Sequence, residues 1–220
     1  FKSLWKKKYN SEMNSQIEID FKEPNFLIKN QLNYKDSSSL DGSILLNFSN
    51  QNIEIDYMYE NNKITLTSPN NANDIKINSS IELKPFYLNS NITLNKQNLN
   101  FMIDELIFSL FNLKPDLLGN VNGDIELLLT NVEHELIRNG KISFSISQNT
   151  INFGEVLFNI GDIGQINSEI GYNEIDGDII FNSSNSLLIK NKKAFAKKFQ
   201  VKPDKVKGIN MINFKIEKNI

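Results

Sequence analysis

The chain has 220 residues, with 24 Lys and Arg against 26 Asp and Glu, one His and no Cys. That length suits one domain of sandwich, barrel or elongated-sheet type, or a piece of a longer repetitive assembly. Without Cys there are no disulfides, zinc thiolate sites or thiol catalysis, and a formal net charge of -2 with the signs intermixed gives no electrostatic case for nucleic acid.

The first dozen residues, with Trp5 and the triplet Lys6, Lys7 and Lys8, read as a frayed end or the tail of a preceding element. The chain opens on Phe1 rather than Met, so we expect a piece of a longer protein, with any signal peptide or membrane anchor upstream. From Gln16 apolar residues alternate with Asn, Ser, Asp, Glu or Lys, which predicts strands over 17–21, 26–32, 43–48, 53–59 and 63–67. Asp41-Gly42 and Asn61-Asn62 suit positive φ and predict hairpin turns, and Pro69 opens a longer loop. Ile53, Ile55, Tyr57 and Tyr59 fall on one face. Strands follow over 75–83 and 92–94, the first with Ile75, Ile77, Ile81 and Leu83 in alternation.

Residues 98–112 change period. Leu99, Met102, Ile103, Leu106, Ile107 and Leu110 follow helical spacing and Pro115 lies just beyond, predicting a helix that packs across the sheet or plugs one end of it. No apolar run in the chain approaches the eighteen or so residues that span a bilayer. Beyond the helix, strands are predicted over 121–130, 140–147, 150–153, 156–160, 165–172, 177–182, 187–190 and 209–217. Asn139-Gly140, Asp176-Gly177 and the stretch 182–185 are the turn signals, and a short helix is predicted over 193–199, ending before Pro203. Ile142, Phe144 and Ile146 alternate with three serines, and Ile151 and Phe153 follow on the next strand. The expected class is all-β and mainly antiparallel: an elongated, curled sheet forming a groove, with one or two short helices. We read 1–220 as a single region, a β-meander over 1–97, the helix over 98–112 and a C-terminal β region over 113–220.

Catalytic constellations are sparse. His134, the sole histidine, is flanked by Glu133 and Glu135 and offers neither a triad nor a multi-histidine metal site. The carboxylates lie on strand exteriors and turns, where a solvated face is the simpler reading than an acid and base pair. Asp162, Asp176 and Asp178 sit near glycines but lack the ladder of acidic ligands of a calcium loop. Gly161, Gly164 and Gly171 lack the strand, loop and helix context of a nucleotide site and read as turns and bulges. The tyrosines and phenylalanines alternate in register with Ile and Leu, so they read as filling an apolar face rather than as stacking platforms. No cofactor or metal is implied, and enzyme is the weakest of the options.

The C-terminal half carries a more specific order of features. Residues 118–127 read L-G-N-V-N-G-D-I-E-L, residues 137–146 read I-R-N-G-K-I-S-F-S-I, and T-I-N-F follows at 150–153. Then come G-D-I-G-Q-I at 161–166, N-S-L at 185–187, Phe195, F-Q-V at 199–201 and V-K-G-I-N-M-I-N-F at 206–214. This order resembles the C-terminal region of AsmA-like envelope proteins of Gram-negative bacteria, the wider AsmA, TamB and YhdP group, over about residues 99–219. The resemblance implies a periplasmic protein, anchored to the inner membrane through a segment outside this chain. It further implies a sheet curled into an apolar groove that carries phospholipid acyl chains between inner and outer membrane or supports outer-membrane assembly. The partners implied are those acyl chains together with inner- and outer-membrane proteins. Such transfer needs no catalytic residue. From alternation alone, the groove-lining candidates are Ile53, Ile55, Ile75, Ile77, Ile81, Leu83, Ile142, Phe144, Ile146, Ile151 and Phe153; each fits a closed sandwich core equally well. The alternative function is a structural β-solenoid or sandwich module of a surface or adhesin-like protein, with its apolar faces buried against each other.

Overall fold

Residues that alternate with period two place every second side chain on one face of an extended strand, and such strands dominate the computed structural model of the chain. It describes residues 2–4, 13–21, 26–34, 39–48, 51–69, 74–99, 121–147, 150–175 and 178–219. The chain divides into two compact units, Phe1–Thr93 and Leu94–Ile220. The first holds β1 (Lys2–Leu4), β2 (Met13–Phe21), β3 (Phe26–Tyr34), β4 (Ser39–Phe48), β5 (Gln51–Glu60), β6 (Lys63–Thr67), β7 (Ile75–Leu83) and most of β8 (Phe86–Asn95). The second holds β9 (Gly123–Thr130), β10 (Asn139–Ser147), β11 (Thr150–Asn159), β12 (Gly164–Ile175) and β13 (Asp178–Ile189). Helices α1 (Lys192–Lys198) and α2 (Pro203–Val206) and the last strand β14 (Met211–Asn219) complete it. Within each unit the strand order is the chain order, and every registered pairing of strands is antiparallel, an isolated parallel bridge between Asn98 and Glu133 lying outside the strands. The all-β, mainly antiparallel class expected from the alternation is therefore the class observed, with two short helices among the described residues. The helix expected over 98–112 falls outside the described residues from position 100 onward, as do Leu118, Gly119, Asn120, Asp176 and Gly177.

Turn chemistry gives the clearest departures from expectation. Asn61 and Asn62 do form the β5–β6 hairpin, at φ 51° and 62°, as two consecutive left-handed residues should. Asp41-Gly42 is not a turn, because both residues lie inside β4, opposite Asn33 and Leu32 on β3 and Met58 and Tyr57 on β5. Asn139-Gly140 likewise opens β10, paired with Asn159 and Phe158 of β11. The two glycines share a physical reason. A Cβ on Gly42 would lie 2.5 Å from the Tyr57 hydroxyl and would collide with the Gln31 carbonyl oxygen; one on Gly140 would lie 2.7 Å from the Phe158 ring. Each glycine gives up its side-chain volume to an aromatic ring and a backbone carbonyl reaching across from neighbouring strands.

The stretch 182–185 is no turn either, since β13 runs through it without interruption. Its polar residues bond inside the sheet: Ser168 Oγ donates to Asn185 Oδ1 at 2.6 Å, and Asn185 Nδ2 donates to Ser183 Oγ at 2.9 Å. Strands 150–153 and 156–160 are one element, β11, carrying a bulge. Ile142 pairs with Val156 and Phe144 with Phe153, so Gly154 and Glu155 together oppose Ser143. The Ser143 hydroxyl accepts from the Glu155 N–H at 2.7 Å and donates to its carbonyl at 3.1 Å, holding the extra residue in place. Strand β8 begins at Phe86 rather than Ile92 because Ser90, buried against Ser79 with their hydroxyls 2.6 Å apart, interrupts the apolar count without interrupting the strand. Residues 2–4 pair with 16–18 and so are not a frayed end, whereas Trp5 to Lys8 lie outside the described residues. The helix expected over 193–199 is α1, which ends before Pro203 as expected, and Pro203 itself starts α2 at its first position, where a missing N–H costs nothing.

In the second unit α1 and α2 cover one end of the sheet. Asn191 caps α1 by accepting the Ala194 N–H at 3.1 Å. Phe195, Ala196 and Val206 bury themselves with Ile160, Ile163, Leu187 and Ile189. Each large side chain buried this way contributes about 1.5–3 kcal/mol.

Candidate functional site

In the first unit the register assembles one apolar face from strands distant in sequence. Directly opposed residues share a face: Leu46 with Ile53, Ile44 with Ile55, Leu40 with Tyr59, Tyr57 with Leu66, Tyr59 with Ile64, and Ile64 with Ile81. The six candidates in this unit, Ile53, Ile55, Ile75, Ile77, Ile81 and Leu83, therefore fall on a single face. Ile55 is buried at 6% exposure, and the other five are half-buried. Among the described residues no helix belongs to this unit. Near the centre of the face the Tyr57 hydroxyl crosses Gly42 and donates to Asn30 Oδ1 at 3.0 Å. Burial pushes the Tyr57 phenol above its usual range; the Asn30 bond opposes this and the Asp41 carboxylate adds to it.

The five candidates in the second unit also share a face. Ile142 stands opposite Leu127 and Val156, Phe144 opposite Ile125 and Phe153, and Ile146 opposite Gly123 and Ile151. Ile142, Phe144, Ile146 and Ile151 are 1–5% exposed, which makes them core residues, while Phe153 is half-buried. Phe153 links the Phe144 ring, 5.9 Å away, to that of Phe181, which it meets edge to face at 5.8 Å. The registered pairing of β11 with β12 covers only Val156–Asn159. Further along, the Tyr172 hydroxyl takes the Ile151 N–H at 3.1 Å in place of a backbone partner. Toward β14 the face opens to water, with Phe214 and Ile216 exposed.

Charged groups lie on the opposite face of the second unit and at its ends. Lys141 sits between Glu126 at 2.8 Å and Glu155 at 3.1 Å on the two adjacent strands. Its hydrogen bonds, first to Glu126 and then to Glu155, hold the ammonium above its usual range. His134 Nδ1 accepts the N–H groups of Leu136 and Ile137 at 3.2 and 3.1 Å, shaping the loop between β9 and β10. Among the described residues no three His, Asp or Glu side chains converge as metal ligands, and no helix is long and apolar enough to cross a membrane.

Sequence reasoning passed over Ile44, Leu46, Ile64 and Leu66 in the first unit and Ile125, Leu127 and Val156 in the second, although all belong to the same faces. The signal was plain for Ile64, Leu66 and Ile125, which stand between polar neighbours, and blurred for Ile44, Leu46, Leu127 and Val156, each of which has a leucine beside it (Leu45, Leu128 or Leu157). In comparisons with known proteins, no family model, no curated protein and no solved structure matches the chain.

Proposed function

We propose that the chain is a non-enzymatic, AsmA-like module of the cell envelope that handles phospholipid in an apolar β-groove. In this reading it is periplasmic, held at the inner membrane through a segment outside the chain, and either passes acyl chains toward the outer membrane or supports outer-membrane assembly. The observation that carries the reading is the apolar face of the first unit, where Ile53, Ile64, Leu66, Ile75, Ile77, Ile81 and Leu83 line up in register yet stay half-buried. Each methylene that leaves water for such a face gains about 0.8 kcal/mol. Roughly ten of them correspond to micromolar retention before the cost of ordering the chain.

A second reading, a structural β-module of a surface or adhesin-like protein, draws on the other unit. There Ile142, Phe144, Ile146 and Ile151 are as buried as the residues of a closed core. The two readings separate at Ile77 and Ile81, whose half-buried side chains tolerate change better than Phe144 or Ile146. Native mass spectrometry with lipid extraction should find phospholipid on the chain purified from a bacterial envelope. Ile77→Asp and Ile81→Asp should reduce it severalfold while the far-UV β signal persists. A folded protein free of lipid in every preparation would replace this reading with the structural module.

A further inference from the structure

A cleft of about 490 Å³ opens in the second unit between the loop that carries Glu135 to Arg138, the β11–β12 turn and α1. Its floor is apolar. Ile160 and Ile163, buried at 3% and 7% exposure, line it with Leu136 and Ala194, which pack on the same core cluster. Its rim is charged, with Arg138, Lys197 and Lys198 set against Glu135 and Asp162. Lys198 lies 4.0 Å from Glu135, which leaves Arg138 and Lys197 facing one carboxylate. Arg138 is the single arginine of the chain, and a guanidinium presents the planar fork that suits phosphate oxygens.

The wall that carries Arg138 is also fixed in advance. Its N–H donates to the Asn159 carbonyl at 2.9 Å, and its own carbonyl takes the Val132 N–H at 2.9 Å. Two residues earlier the loop is closed on His134 Nδ1. Gly161, at φ 51°, forms the facing turn, where a Cβ would lie at an ordinary contact distance of 3.7 Å from Arg138 Cγ. A backbone fixed in this way keeps the base of the cation at the cleft wall before any ligand arrives.

We propose that this cleft binds the phosphate head of an amphiphile, with Arg138 and Lys197 on the phosphate and the floor of Leu136 and Ile163 against the first methylenes of the tail. The inference rests on the lipid-handling reading and adds a head-group site to it. Charge at the rim supplies the preference for the anion, and the apolar floor supplies the preference for an amphiphile over a bare ion.

The test uses the whole chain and three probes in calorimetry: a single-tailed phospholipid below its micelle concentration, a neutral glyceride with the same tail, and inorganic phosphate. The phospholipid should bind about tenfold more tightly than the glyceride. Arg138→Gln and Lys197→Gln should each erase most of that preference, Arg138→Lys should keep part of it, and Lys215→Gln, on β14, should leave it intact. Unchanged far-UV spectra exclude unfolding as the cause. If the phospholipid binds but the Arg138 and Lys197 variants keep the preference, the head-group site is overturned while the lipid reading stands. If inorganic phosphate binds as tightly as the phospholipid, the cleft is a free-anion site and the amphiphile assignment is overturned. Binding of none of the three overturns the site as well, and lipid copurification with its loss in Ile77→Asp then judges the lipid reading separately.

Discussion

At the scale of single residues, the meeting of Gly42, Tyr57 and Asn30 is where the first unit is least tolerant of change. The Tyr57 ring occupies the space a side chain at 42 would need, and its hydroxyl is spoken for by Asn30 at 3.0 Å. Gly42→Ala should therefore destabilise this unit by about 1–3 kcal/mol, the usual cost of overpacking, as read from urea unfolding. Adding Tyr57→Ala should not restore stability, because the collision with the Gln31 carbonyl belongs to the backbone and survives loss of the ring. Full restoration would show that the ring alone forbids a side chain at 42. The same geometry explains why the sequence misleads at this point. An Asp-Gly pair is a strong hairpin signal when only local conformational preference is weighed, but the need for glycine here comes from the Gln31 carbonyl and the Tyr57 ring on the two neighbouring strands.

The elements were legible wherever apolar alternation was unbroken. The β6 and β7 bounds read from sequence match the observed Lys63–Thr67 and Ile75–Leu83. They became illegible where serine or asparagine entered the apolar face, as at Ser90 in β8 and at Ser183 and Asn185 in β13. Polar residues inside a face look like turns until their cross-strand partners are known, and pairing is a long-range property that composition does not carry. The apolar faces that hold the candidate site could be read for the same reason as the strands; how deeply each residue is covered could not. The last strand shows what such coverage controls. β14 is bonded to β13 on one side, and Met211 and Ile216 on it are 49% and 55% exposed. An exposed apolar edge strand invites pairing with another chain. Ile216→Lys should lower concentration-dependent association in sedimentation velocity while leaving thermal stability within about 0.5 kcal/mol of the parent. Unchanged association would mean that this edge is not where molecules meet.

At the scale of the whole molecule, two groups among the described residues, both held above their usual range, act in the same direction. The Tyr57 phenol and the Lys141 ammonium both keep their protons more tightly in the folded chain than in the unfolded one. Once the pH passes about 10, where the unfolded groups titrate, the unfolded state holds fewer protons than the native state and stability falls as pH rises. That contribution is complete below this range and is lost as the pH climbs through the folded values. Urea midpoints measured across the alkaline range should decline, and Tyr57→Phe should flatten the part of the decline that belongs to the first unit. A decline that is the same with and without Tyr57 would assign it to Lys141 and the general lysine titration.

Strand order equal to chain order, met in both units, also governs how such a protein can be made. Each strand finds its partner in the segment that immediately precedes it, so loops closed during folding are short and contact order is low for an all-β chain. A chain that emerges from a ribosome or through a membrane pore N-terminus first can add strands one at a time to a growing ladder. Between one strand and the next, the free edge of the newest strand is the template on which its successor forms.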